Sequence, residues 1–110
     1  MTQIIEAAPV EMHTLVWNGI RIEIRYCPNW LESYEGVYGY PLAHLEIDAI
    51  DPEGAPLPMT ETGYRSHFTR PDLIAADGGP VAFARAWLDD SARDRKWIER
   101  EAERKQLSLF

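Results

Sequence analysis

Two imidazoles and two carboxylates fall at alternating positions in the middle of the chain. His44, Glu46 and Asp48 lie in one extended run, and His67 follows in the next beside Arg65. Nitrogen and oxygen donors of this kind can hold a divalent metal or work as an acid–base pair. Both uses require convergence on one point. A flat sheet face more readily lets unlike charges pair off across strands. Alternation places Arg21, Glu23 and Arg25 of a preceding strand on the same face, so three arginines stand among three carboxylates there. The sequence thus defines a polar-face site of His44, Glu46, Asp48, Arg65 and His67 for a metal or small ligand, with an ion-paired surface as the simpler reading.

Other chemistry has less behind it. Cys27 is the one cysteine; it precedes a proline with no histidine nearby in sequence, which suits a small buried residue better than a reactive thiolate. Ser66 and His67 are adjacent on a strand and point to opposite faces, so they form no nucleophile–base pair of their own. Gly78-Gly79-Pro80 is an ordinary helix start rather than an anion site. No phosphate-loop, dinucleotide or zinc-finger spacing occurs, so no cofactor or metal is expected and an enzyme has no positive support. His13 lies toward the core face of its strand, where a hydrogen-bonded structural role is the simpler reading.

The elements that must position these groups begin with a hairpin. Asn18-Gly19 suits a type I′ turn, in which both central residues need positive φ. A two-residue loop fixes the register as Trp17 opposite Ile20, Leu15 opposite Ile22, His13 opposite Ile24 and Glu11 opposite Tyr26. Strand one spans about residues 10–17 and strand two about 20–26, stopped by Pro28. Residues 30–40, with Gly36 and Gly39 among four aromatic rings, read as an irregular aromatic loop folded over a sheet edge or serving in recognition. Strand three covers 42–50, with Ala43, Leu45, Ile47 and Ala49 inward. After the Asp51-Pro-Glu-Gly54 turn, strand four returns over 59–68, with Thr62, Tyr64, Ser66 and Phe68 on one face and Arg65 and His67 on the other. After Thr69-Arg70-Pro71 the chain reads as a linker as far as Asp77-Gly78-Gly79-Pro80. A helix opening at Pro80 carries Phe83, Ala84, Trp87 and Leu88 at helical spacing, and Ser91-Ala-Arg-Asp94 reads as a capping box that restarts it. Pairs such as Arg85/Asp89 and Glu101/Lys105 give that segment a solvated charged face.

The expected architecture is α+β: a four-stranded antiparallel meander packed on one face by the C-terminal helical segment, with Phe83, Trp87 and Leu88 over Ile22, Ile24, Leu45, Ile47 and Tyr64. One domain of 110 residues divides into a lead-in (1–9), sheet (10–68), helical segment (80–105) and tail (106–110). No apolar run can span a bilayer, and the N-terminus has no secretory pattern, so the expected site is the cytoplasm. The net charge is −7, and residues 1–84 hold four basic residues against twelve acids. Direct nucleic-acid binding is therefore not expected.

Two stretches resemble known sequences. Pro58-Met-Thr-Glu-Thr-Gly-Tyr-Arg-Ser-His-Phe68, with Trp87-Leu-Asp89, Trp97 and Leu109-Phe110, resembles a family of small uncharacterised bacterial proteins. These are commonly encoded on plasmids and integrative conjugative elements. The resemblance implies a mobile-element setting and no particular activity. Gln106-Leu-Ser-Leu-Phe110 resembles the pentapeptide by which bacterial replication and repair proteins dock on the DNA sliding clamp. That resemblance implies Gln106 at a pocket rim, Leu107 as first anchor, and Leu109 with Phe110 as an apolar plug. The alternative is that these residues cover the domain's own apolar edge. The leading expectation is a non-enzymatic accessory protein with a partner-binding tail. The others are the polar-face ligand site and a homodimer formed through a sheet edge or the aromatic segment.

Overall fold

Asn18 (φ 51°) and Gly19 (φ 76°) turn the first hairpin in the left-handed region, as a type I′ turn demands. The computed structural model describes residues 10–107. β1 (Glu11–Trp17) and β2 (Ile20–Cys27) pair in the register set by that turn, from Trp17↔Ile20 to Glu11↔Tyr26. β3 (Ala43–Asp51) pairs with β2 through Ile24↔Ile47 and Arg25↔Glu46. β4 (Tyr64–Thr69) pairs with β3 through Leu45↔His67 and Ile47↔Arg65. The sheet is a four-stranded antiparallel meander in the order β1-β2-β3-β4. With its helices it forms the expected α+β fold.

Leu15, Ile22, Ile24, Leu45 and Ile47 of one sheet face are buried under α3 (Pro80–Ser91), which contributes Ala84 and Leu88. Leu57 of the long β3–β4 connection completes the core with Ile74 and Trp97. Pro80 occupies the first turn of α3, where its missing N–H costs nothing, after Gly79 at φ 111°. α4 (Arg95–Leu107) restarts the chain direction.

Several local expectations change. Residues 32–38 form a helix, α1 (Glu32–Tyr38), rather than an irregular loop. Of the two glycines that argued for a loop, Gly39 is the left-handed C-cap (φ 82°), its N–H donating to the Glu35 carbonyl at 2.8 Å. That leaves Gly36 inside the helix, at a cost of about 1 kcal/mol against alanine. Residues 71–76 form α2 (Pro71–Ala76) where a linker was expected; proline begins it and a single buried anchor, Ile74, docks it. One apolar anchor in six residues gives no periodicity to read.

The fourth strand begins at Tyr64 rather than near residue 59, and two isolated bridges, Ile50↔Glu53 and Leu57↔Thr60, shape the connection before it. The restart at α4 is capped by Asp94, whose Oδ1 accepts from the Lys96 N–H at 3.2 Å, not by a box begun at Ser91.

Candidate functional site

Because directly opposed residues of an antiparallel pair share a face, β3 decides what β4 presents. Leu45 and Ile47 point into the core, so their partners His67 and Arg65 lie on the same, helix-bearing face, His67 half-buried and Arg65 exposed at its margin. The imidazole of His67 lies against Phe83 (5.9 Å between centroids) and Trp87 (4.8 Å) of α3. The Arg65 guanidinium sits 5.4 Å over the Trp87 ring and donates to the Met59 carbonyl at 3.2 Å. Burial, and then the Arg65 charge, pushes the His67 pKa down.

The five-residue polar-face site is therefore split: His44, Glu46 and Asp48 stand on the outer face, Arg65 and His67 on the helix-covered face. Tyr64, expected beneath the helix, is outside. Sequence alternation along β4 was right, but both of its faces mix rings with polar groups, so alternation alone could not say which one turned inward.

On the outer face the charged groups are committed to one another. Arg25 reaches Glu23 at 2.5 Å, Glu46 at 3.4 Å and Asp48 at 3.7 Å, while Arg21 approaches Asp51 at 3.8 Å. The Tyr64 hydroxyl donates to Glu46 Oε2 at 2.6 Å. That bond, assisted by Arg25 and opposed by partial burial, holds the Glu46 carboxyl below its ordinary range, and the same bond raises the Tyr64 phenol. His44 Nε2 hydrogen-bonds Ser66 Oγ at 2.7 Å. Among the described residues, no three His, Cys, Asp or Glu side chains cluster as metal ligands would. Cys27 is buried, and His13 bonds Glu11 at 3.0 Å.

Beside this ion-paired belt stands an aromatic corner. Phe68 stacks on His44 at 4.4 Å, and Trp30 meets Phe68 edge-on at 4.9 Å. Trp30 and Phe68 nevertheless remain 48% and 45% exposed. Sequence reasoning noted both rings but did not bring them together, since Trp30 lies outside any strand.

A family model described as the KlcB third domain matches residues 10–97. The chain belongs to that family. No curated protein and no solved structure matches it. The KlcB third-domain match covers the sheet, α1, α2 and α3, and ends at Trp97, the residue that anchors α4.

Beyond that anchor, α4 of this KlcB third-domain chain is held by few contacts. Trp97 is 5% exposed and packs 6.2 Å from Trp17, with the Arg104 guanidinium 4.9 Å over its ring. The Asn18 side-chain amide donates to Glu101 at 2.8 Å, and Arg100 pairs with Glu61. At the end of the helix Gln106 and Leu107 are exposed, Leu107 at 72%. Leu109 and Phe110, the expected apolar plug, lie outside the described residues.

Proposed function

We propose that this chain is a non-enzymatic accessory protein that acts by docking on a partner through its C-terminal tail, and that the partner is the bacterial DNA sliding clamp. The observation that carries the reading is the exposure of Gln106 and Leu107 in the last turn of a helix whose described body contacts lie mainly near Trp97. An anchor residue that is 72% exposed has little intramolecular burial to give up on binding. Short apolar motifs suit this recognition mode, in which a few anchor side chains enter a groove of the partner. The acidic body supports it as well, since a chain of net charge −7 is repelled by a phosphate backbone and gains access to DNA processes through a protein. The self-paired charges on the outer sheet face favour this over a metal or small-ligand site there. The resemblance of residues 58–68 supports a bacterial mobile-element setting.

The test is direct. A peptide ending in Gln106–Phe110, and the full chain, bind purified bacterial sliding clamp, and Leu109→Ala with Phe110→Ala abolishes both interactions. No binding at high micromolar peptide overturns the proposal.

A further inference from the structure

Trp97, Arg100 and Arg104 follow one another at three- and four-residue steps, so α4 carries them as one row on the same face. Opposite that row runs the β3–β4 connection. There Leu57 and Thr60 exchange backbone bonds, the Leu57 N–H donating to the Thr60 carbonyl at 2.8 Å and the Thr60 N–H donating back at 3.0 Å. The tight turn they close holds Pro56, Leu57 and Glu61 across from the helix. Between the two elements lies a cleft of about 290 Å³, walled by these three residues and the three of α4. Its lining is of two kinds. Leu57 and Trp97 are core residues that, with Pro56, give it a fixed apolar floor. Arg100 and Arg104 bring two guanidinium groups, and Glu61 brings the lining's one carboxylate.

The two arginines are not equivalent. Arg104 is committed, with Nε and Nη2 at 2.8 and 2.7 Å from Glu101 Oε2 and its guanidinium over the Trp97 ring. Arg100 donates only through Nη1, to Glu61, whose side chain is 77% exposed. The Arg100 Nε is buried and has no acceptor. The Nε–Nη2 edge of a guanidinium can hold a carboxylate by two parallel bonds, and in Arg100 that edge is unused. A buried donor left unmet is a standing cost, and an ion pair with so exposed a carboxylate offsets little of it. The present pairing of Arg100 is therefore easily exchanged for a better one.

We infer that this cleft binds a small organic carboxylate with an apolar or aromatic body. The carboxylate takes the Nε–Nη2 edge of Arg100 as that side chain turns away from Glu61, and the body lies against Pro56, Leu57 and Trp97. A volume of about 290 Å³ stands at the lower end of the roughly 300–1,000 Å³ of small-molecule pockets, which suits a single ring and is too small for a nucleotide. The net charge of −7 is no bar, because the ligand replaces Glu61 on Arg100 one for one and leaves the local charge unchanged. The inference is independent of the tail reading, since the cleft uses neither Gln106 nor Leu107.

Benzoate is the probe, titrated into the full chain and followed through the NMR signals of the Trp97 indole N–H and the Arg100 Nε–H. Both shift saturably. Acetate, which lacks the ring, and benzyl alcohol, which lacks the charge, bind at least tenfold more weakly. Arg100→Gln weakens benzoate at least tenfold while leaving the circular dichroism unchanged. Glu61→Gln removes the competing carboxylate and tightens benzoate binding, whereas a Glu61 that served only to shape the cleft would weaken it when replaced. Absence of a saturable shift at tens of millimolar benzoate overturns the inference. So does benzyl alcohol binding as well as benzoate, or a Glu61→Gln chain that binds benzoate no more tightly.

Discussion

Trp97→Ala tests whether α4 is held by one side chain. The indole is 5% exposed, packed on Trp17 and covered by the Arg104 guanidinium. Truncating a buried tryptophan to alanine costs about 3–5 kcal/mol. Among the described contacts of α4 with the body, the Asn18–Glu101 hydrogen bond at 2.8 Å and the Arg100–Glu61 pair persist. Exposed polar contacts of this sort contribute about 0.5–1 kcal/mol each. The loss exceeds the remainder, and an isolated helix of 13 residues is marginal in water. α4 should therefore melt while the sheet and α3 persist. Native-state hydrogen exchange reads this directly: amides from Ile98 to Leu107 lose protection, and those of Ile24 and Ile47 keep theirs. Far-UV circular dichroism falls by about one helix of that length. Retained protection in α4 would refute the reasoning, as would loss of α4 and sheet in one common transition.

Three further outcomes follow from individual contacts. Tyr64→Phe removes the 2.6 Å donor to Glu46, so the Glu46 pKa rises toward its ordinary value; a carboxyl titration followed by NMR checks this, and an unchanged curve refutes it. The depressed Glu46 value stabilises the fold above the unfolded carboxyl pKa and is lost as pH falls through the folded one, so Tyr64→Phe also begins its acid unfolding at higher pH. The folded pKa of His67 is likewise lowered, so neutral His67 stabilises the fold above about pH 6.5 and that stability is lost as pH falls through the depressed value. His67→Leu should flatten the drop in urea midpoint between neutral and mildly acidic pH; an unaltered slope counts against the assignment. Gly63→Ala would bring a Cβ within 2.7 Å of the Ala55 carbonyl at φ 79°, whereas a Cβ at Gly39, φ 82°, meets nothing within 4 Å. Both pay about 1–2 kcal/mol for the left-handed backbone, and only Gly63→Ala adds a backbone clash, so it should show the larger loss in denaturant titration.

Legibility in the sequence followed how local each signal was. Asn18-Gly19 fixed the hairpin register to the residue, because turn chemistry and alternation constrain the same few positions. The inward set of β3 was equally plain, since Leu45 and Ile47 alternate with charged residues. β4 was harder: the residues on its helix-bearing face are an exposed arginine and a half-buried histidine, lying against the rings of Trp87 and Phe83. Residue type alone reads these two as surface. α1 and α2 were missed because six or seven residues show no helical period, and because a capping glycine in the sequence looks the same as a loop glycine.

The outer face also shows why counting chemically able side chains overstates a site. Glu23, Glu46 and Asp48 surround one guanidinium, Glu46 accepts from Tyr64, and His44 is tied to Ser66 and stacked on Phe68. A ligand entering there must break these contacts before making its own, so each exchange returns little net free energy. Unsatisfied capacity lies elsewhere. Leu107, 72% exposed at the end of α4, keeps most of its apolar surface open. Binding through Leu107 displaces few protein contacts, and that difference, more than residue type, is why the proposal puts a partner at the end of α4 rather than on the charged face.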